Sequence, residues 1–145
     1  MKILDFKLRF QTSQITNLAA PIVISNILTK LKDKKYQVLN VTDRNITFKW
    51  NSFKLVSNFK APYILDGGNF EITESEQGTV VVLNYFINTL YSLLIIILLI
   101  TFVTIQGEYF GIFFFGIFYL IAATFQYTIT KNAGKELLRN ILIED

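Results

Sequence analysis

The side chains best suited to chemistry in this sequence are carboxylates that lie within one short stretch, Asp66, Glu71, Glu74 and Glu76. Paired carboxylates can act as general acid and base, or they can bind a hard cation. Acids that alternate along a strand and a turn are more often solvated, and nothing in this spacing requires a shared site. We therefore predict no catalytic residue and no metal site here.

A glycine-rich segment, Asp66-Gly67-Gly68-Asn69, lies in the same stretch. Such a segment cradles phosphate when the N-terminus of a helix follows it. The sequence that follows, Phe70-Glu71-Ile72-Thr73, is strand-like instead. The segment is therefore predicted to be a hairpin turn whose glycines adopt positive φ angles.

The residue types that are missing exclude several kinds of site. The 145 residues include no cysteine and no histidine, which excludes disulfides, a thiolate nucleophile, a histidine base and a His/Cys metal site. We expect a protein that is not an enzyme and holds no cofactor. The net charge is only +3 and no stacking motif accompanies the lysines, so no nucleic-acid partner is predicted.

Four lysines crowd the end of a predicted helix, at Lys30, Lys32, Lys34 and Lys35. Near an anionic membrane they would attract lipid headgroups, each contributing about 1 kcal/mol. Alternatively, they solvate the helix and complement the negative end of its dipole. Membrane-surface binding by these lysines is a hypothesis.

Two uncharged stretches, 85–105 and 109–130, dominate the second half of the chain. At about 1.5 Å per residue, about 20 helical residues cover a hydrocarbon core of roughly 30 Å. Hydrophobic residues make up 52% of the chain and the mean hydropathy is +0.41. The sequence therefore predicts a transmembrane hairpin of two helices over residues 85–130.

Small and polar residues recur on one face of the second predicted span, at Gly116, Tyr119, Ala123 and Gln126. Small residues let a neighbouring backbone approach, and an amide in lipid needs a hydrogen-bond partner. This face is predicted to pack against protein, either within the hairpin or in another chain. The predicted spans carry no ionisable Asp, Glu, Lys, Arg or His, so a proton relay or voltage sensor is excluded.

Residues 1–84 are predicted to form a cytoplasmic α+β domain, a small antiparallel sheet with one packed helix. Alternation of apolar and polar residues with period two indicates the strands, and helical spacing after Pro21 indicates a helix ending near Lys35. The first predicted strand contains the alternating residues Leu4, Phe6, Leu8 and Phe10. The other predicted strands are Tyr36–Thr42, Ile46–Trp50, Phe53–Phe59, Asn69–Thr73 and Thr79–Tyr85.

Residues 131–145 are predicted to form a short amphipathic cytoplasmic tail. Lys131, Lys135 and Arg139 follow the second span, whereas the turn around Glu108 has no cation. The positive-inside bias therefore places both termini in the cytoplasm. A composition rich in Ile, Asn, Lys, Phe and Tyr fits an AT-rich genome and favours the inner membrane of a bacterium.

These features favour a non-enzymatic integral membrane protein that acts as an accessory, assembly or regulatory subunit through its cytoplasmic domain. Its expected partners are the lipid bilayer and either another protein or a second copy of the chain, reached through the spans. One alternative is a ligand-sensing domain coupled to an oligomerising membrane effector or pore. A third is an enzyme that acts on lipid at the membrane surface.

Overall fold

The computed structural model describes residues 7–50, 65–106 and 109–143. Within these ranges the chain forms five strands and three helices. Their order is β1 (Lys7–Thr16), α1 (Ala20–Asp33), β2 (Tyr36–Val41), β3 (Asn45–Trp50), β4 (Gly67–Ser75), β5 (Gly78–Asn88), α2 (Leu90–Gln106) and α3 (Tyr109–Leu142). The predicted strand Phe53–Phe59 lies outside the described residues, as does the centre of the predicted turn at residues 107–108.

The strands form an antiparallel sheet in the order β1-β5-β4-β3-β2. The predicted α+β class and the antiparallel sheet are confirmed. Gly78, with a φ of 120°, follows the turn that joins β4 to β5. We call this the hairpin end of the sheet. At the opposite end, the exit end, β5 finishes at Asn88 beside Lys7 and the chain passes into α2.

One face of the sheet is covered by two helices, α1 and the last part of α3. The prediction of a single packed helix is therefore wrong. Alternate residues of the strands point toward these helices, as the two-residue period of a strand requires. The largest fully buried side chains of this core are Phe48, Phe70, Ile27, Leu31, Ile46, Leu65, Leu83, Leu137, Leu138 and Ile141.

The predicted two-helix transmembrane hairpin is wrong. Of the described helices, one is long and apolar enough to cross a membrane, over the 30 residues Phe113–Leu142. The apolar part of α2 is shorter, Ile96–Ile105. The physical reason lies in residues 85–88, which are apolar enough to extend a predicted span but belong to β5, where Tyr85 and Ile87 are buried in the sheet.

The predicted separate amphipathic tail is also wrong. The helix α3 continues unbroken from Tyr109 to Leu142. The apolar side of the predicted tail, which includes Leu137, Leu138 and Ile141, packs into the core. Gly134 follows Lys131 by three residues but does not end the helix, because it stays helical and packs against the Tyr85 ring, and α3 contains no proline.

The predicted turn at Asp66-Gly67-Gly68 is likewise wrong, because Gly67 and Gly68 are the first two residues of β4. Their role is close packing. A Cβ on Gly67 would lie 2.9 Å from the Phe48 carbonyl oxygen, and one on Gly68 would lie 2.6 Å from the Asn84 carbonyl oxygen. These glycines therefore allow neighbouring backbone and aromatic rings to approach the strand.

Candidate functional site

Exposed apolar side chains cover α2 and the part of α3 that precedes Thr130. The exposed fraction reaches 79% for Ile105, 74% for Phe118 and 69% for Leu98. Only 6% of the most apolar stretch of this candidate membrane-spanning helix is buried within the protein. A continuous apolar surface of this extent is typical of a membrane-contacting segment rather than of a water-exposed one.

Four threonine hydroxyl groups within this apolar surface form hydrogen bonds with their own helix. Thr101, Thr104, Thr124 and Thr128 each donate to the carbonyl oxygen four residues earlier, at distances of 2.7 to 3.0 Å. A hydroxyl bonded in this way does not need water as a partner. These threonines can therefore lie in lipid without the cost of an unpaired polar group.

The four predicted helix-packing residues, Gly116, Tyr119, Ala123 and Gln126, line one groove between α3 and α2. Its volume is about 330 Å³, and the α2 side of the groove is aliphatic. A Cβ on Gly116 would meet no atom within 4 Å, so no neighbour in the same chain occupies the space beside this glycine. The structure brings the four residues together, and their contact with another protein stays a prediction.

An aromatic junction joins α3 to the sheet at the exit end. The Phe10 ring is stacked on Tyr85 at a centroid distance of 5.3 Å and packs against Tyr127 at 5.2 Å. The Tyr85 hydroxyl donates to the Lys131 carbonyl oxygen at 3.2 Å. A Cβ on Gly134 would collide with the Tyr85 ring. Aromatic packing and a glycine contact thus fix the helix to the strand where its exposed apolar part ends.

Burial perturbs two tyrosines that hold this architecture together. Desolvation raises the pKa of Tyr85 above its ordinary value, and the nearby Tyr127 raises it further. Desolvation also raises the pKa of Tyr36, although the hydrogen bond that its oxygen accepts from the Leu65 N–H opposes this shift. Burial therefore favours the neutral form of both phenols.

The four predicted membrane-binding lysines lie in the last turn of α1 or directly after it. Lys30 lines a groove between α1 and the end of α3. Lys32 is exposed, and Lys34 caps α1. Lys35 adopts a φ of 62° directly before β2, which begins at Tyr36 beside Trp50 at the exit end. Lys34 and Lys35 thus approach the end of the sheet from which α2 leaves.

The carboxylates do not converge on a shared site. Glu71 accepts hydrogen bonds from the Asn69 and Asn84 amides at 3.2 and 3.0 Å, on the sheet face opposite the helices. Asp66 instead accepts the Asn88 N–H at 2.6 Å at the exit end. Among the described residues, no group of three or more possible His, Cys, Asp or Glu ligands is assembled.

Sequence analysis missed the junction, whose residues are Phe10, Tyr85, Tyr127, Lys131 and Gly134. Tyr85 falls at the edge of a predicted span, and Gly134 falls in the segment predicted as a tail. The detectable signal is the alternation that β5 continues beyond Tyr85 to Ile87.

Comparison of the chain with family models, curated proteins and solved structures finds no match.

Proposed function

We propose that this protein is a membrane-anchored, non-enzymatic accessory, assembly or regulatory subunit. The observation that carries the proposal is the exposed apolar surface of α2 and α3, which is continuous with a helix that ends in the core of the domain. The self-satisfied threonines support insertion of this surface into lipid. The non-enzymatic part rests on the sequence, which supplies no thiol and no imidazole.

The proposed location is a bacterial inner membrane, with the domain and both termini on the cytoplasmic side. The end of α3 packs against the sheet, so these two parts share one side of the bilayer. Lys131, Lys135 and Arg139 lie in that part of α3, and cations near a membrane segment favour the cytoplasmic face.

Two surfaces support the proposed role as a subunit. The sheet face opposite the helices carries a polar network that includes Thr47, Asn69 and Glu71, with no described helix over it. Within the apolar segment, Gly116 and Gln126 line the open groove described above. A partner protein or a second copy that fills this groove gains close contact at Gly116 and a hydrogen-bond partner for Gln126.

Membrane insertion is tested by carbonate extraction of native membranes followed by flotation. The full chain is expected to remain with the lipid after peripheral proteins are released. A variant with Ile97, Phe118 and Phe125 replaced by glutamate is expected to be released, because charged groups in lipid are costly. Extraction of the unaltered chain by carbonate would rule out the anchor.

The subunit role is tested by solubilisation in a mild detergent, affinity capture and mass measurement. A stoichiometric foreign subunit is the expected result. A homo-oligomer whose size changes with a ligand would favour the ligand-sensing effector instead. Turnover of a lipid by the captured protein would favour the surface enzyme and contradict the non-enzymatic proposal.

A further inference from the structure

The charges of the sheet are distributed unequally between its two ends. At the exit end, Lys7 pairs with Asn88, and Lys49 pairs with Gly67. Lys35 immediately precedes β2 at the same end. Lys131 belongs to this end as well, because its carbonyl oxygen accepts the Tyr85 hydroxyl. Cations therefore gather where the chain passes into its apolar helices.

Acidic residues gather at the opposite, hairpin end. Glu74 pairs with Thr79, and Glu76 lies in the turn between β4 and β5. Two carboxylates lie toward the exit end, Asp33 at the end of α1 and Asp66. Asp66 is engaged by the Asn88 backbone N–H, so its charge is partly used within the chain. The exit end is thus mainly basic and the hairpin end mainly acidic, with Arg44 as a cation at the hairpin end.

Two of the cations at the exit end also lie beside aromatic rings. The Lys7 Nζ is 4.9 Å from the centroid of Phe86, and the Lys131 Nζ is 6.0 Å from the centroid of Tyr127. Paired aromatic and cationic side chains are characteristic of the layer between hydrocarbon and water. This is the layer where phospholipid phosphates lie.

We propose that the exit end binds the headgroups of anionic phospholipids through Lys7, Lys35, Lys49 and Lys131. The proposal rests on the proposed membrane anchor, which brings this end of the sheet to the bilayer surface. The ligand is defined by its negative headgroup and by its acyl chains, which contact the neighbouring apolar helices. The acidic hairpin end faces away from the anionic surface, which also fixes the tilt of the sheet.

Energy transfer from Trp50, the only tryptophan, to an acyl-dansylated lipid tests this inference. Trp50 lies at the exit end, opposite Tyr36. The full chain in dodecyl maltoside micelles is titrated with labelled phosphatidylglycerol or phosphatidylcholine. Unlabelled phosphatidylglycerol is expected to displace either probe at least about tenfold more effectively than phosphatidylcholine, because each lysine contributes about fivefold in affinity.

The decisive variant is Lys49→Gln with Lys131→Gln, matched to a control with Arg44→Gln and Arg139→Gln. Both remove two positive charges, but Arg44 precedes β3 at its hairpin end, and Arg139 lies near Gln14, well along β1 from the exit end. The lysine variant is expected to lose about tenfold or more of its preference for phosphatidylglycerol, and the control less than about twofold. Lys49→Arg with Lys131→Arg is expected to retain the preference, which separates loss of charge from misfolding.

Equal displacement by the two lipids, or an equal loss in the control, would overturn the inference. Competition by inorganic phosphate as strong as that by phosphatidylglycerol would assign the end to free anions instead and would also overturn it. Flotation on pure phosphatidylcholine vesicles is run in parallel. Flotation of all variants shows that the anchor is intact, so its failure is distinguishable from failure of headgroup binding.

Discussion

Gly116 and Gly134 lie on the same helix, but their surroundings impose opposite requirements. Gly116 faces open space in the groove beside α2, whereas Gly134 is pressed against the ring of Tyr85. Glycine in a helix costs about 1 kcal/mol relative to alanine, so each position has a reason to be replaced. Of these two positions, Gly134 is the one where close packing within the chain offsets that cost.

Replacing each glycine by alanine separates these two roles. Gly134→Ala is expected to lower the free energy of unfolding by about 1–3 kcal/mol, because its Cβ must displace the Tyr85 ring. Gly116→Ala is expected to leave the monomer unchanged or to stabilise it by up to about 1 kcal/mol. Urea unfolding in micelles, followed by Trp50 fluorescence, measures both. Equal effects would show that the Tyr85 contact does not restrain α3.

The raised pKa of Tyr36 leads us to expect a loss of stability at alkaline pH. Its pKa is raised above the ordinary 10.0 by burial. The neutral phenol is therefore favoured by folding, and its contribution is complete below about pH 10 and is lost as the pH rises through the folded-state pKa. The free energy of unfolding is expected to fall as the pH rises above about 10, by at most about 1.4 kcal/mol per pH unit for this group.

The matched variant for this effect is Tyr36→Phe. It leaves the Leu65 N–H without its acceptor and so lowers stability at neutral pH, by about 1–3 kcal/mol. Its further decline with pH is expected to be shallower, with a remainder arising from Tyr85, whose pKa is also raised. Parallel pH curves for the two proteins would assign the alkaline transition to other groups.

At the level of elements, the last part of α3 completes the domain. Leu137, Leu138, Ile141 and Leu142 all belong to the core formed with the sheet and α1. Burial of each such side chain contributes about 1.5–3 kcal/mol. Their sum, about 6 kcal/mol or more, is comparable to the whole stability of an ordinary domain.

A fragment test follows from this arrangement. Residues 1–88 alone are expected to lack cooperative unfolding and to expose apolar surface, whereas residues 1–88 joined to 130–145 by a short Gly/Ser linker are expected to fold in water. The linker is feasible because the Tyr85 hydroxyl contacts the Lys131 carbonyl oxygen, which places the two cut ends close together. Circular dichroism during thermal unfolding provides the measurement. Cooperative unfolding of residues 1–84 alone would support the autonomous domain predicted from sequence.

Sequence analysis located the helix and the strands whose apolar residues follow one clear period. The helix after Pro21 and the strand Ile46–Trp50 are confirmed close to their predicted bounds. Prediction failed at residues 85–88, because hydropathy does not change where the buried strand β5 passes into the apolar helix α2. It failed again after Lys131, because amphipathicity does not tell which surface a helix covers. The junction depends on both regions and was therefore missed.

At the scale of the whole molecule, the packing of α3 against the sheet and the proposed anchor together require the domain and the end of α3 to share one side of the membrane. The chain has no cysteine, so single cysteines can be placed at Ser75 and at Glu136, both of which are exposed. In sealed right-side-out vesicles, neither is expected to react with an impermeant maleimide until the vesicles are opened. Reaction at one position alone would contradict the packing of α3 against the sheet.

The unbroken helix α3 links two different environments. Its first part lies among exposed apolar side chains, and its last part is held in the protein core by Gly134 and Leu137. Axial movement by one residue corresponds to about 1.5 Å and would carry Gly134 off the Tyr85 ring. Under the proposed membrane anchor, a bilayer whose thickness differs by that amount is therefore expected to shift α3 and disturb its packing against the sheet.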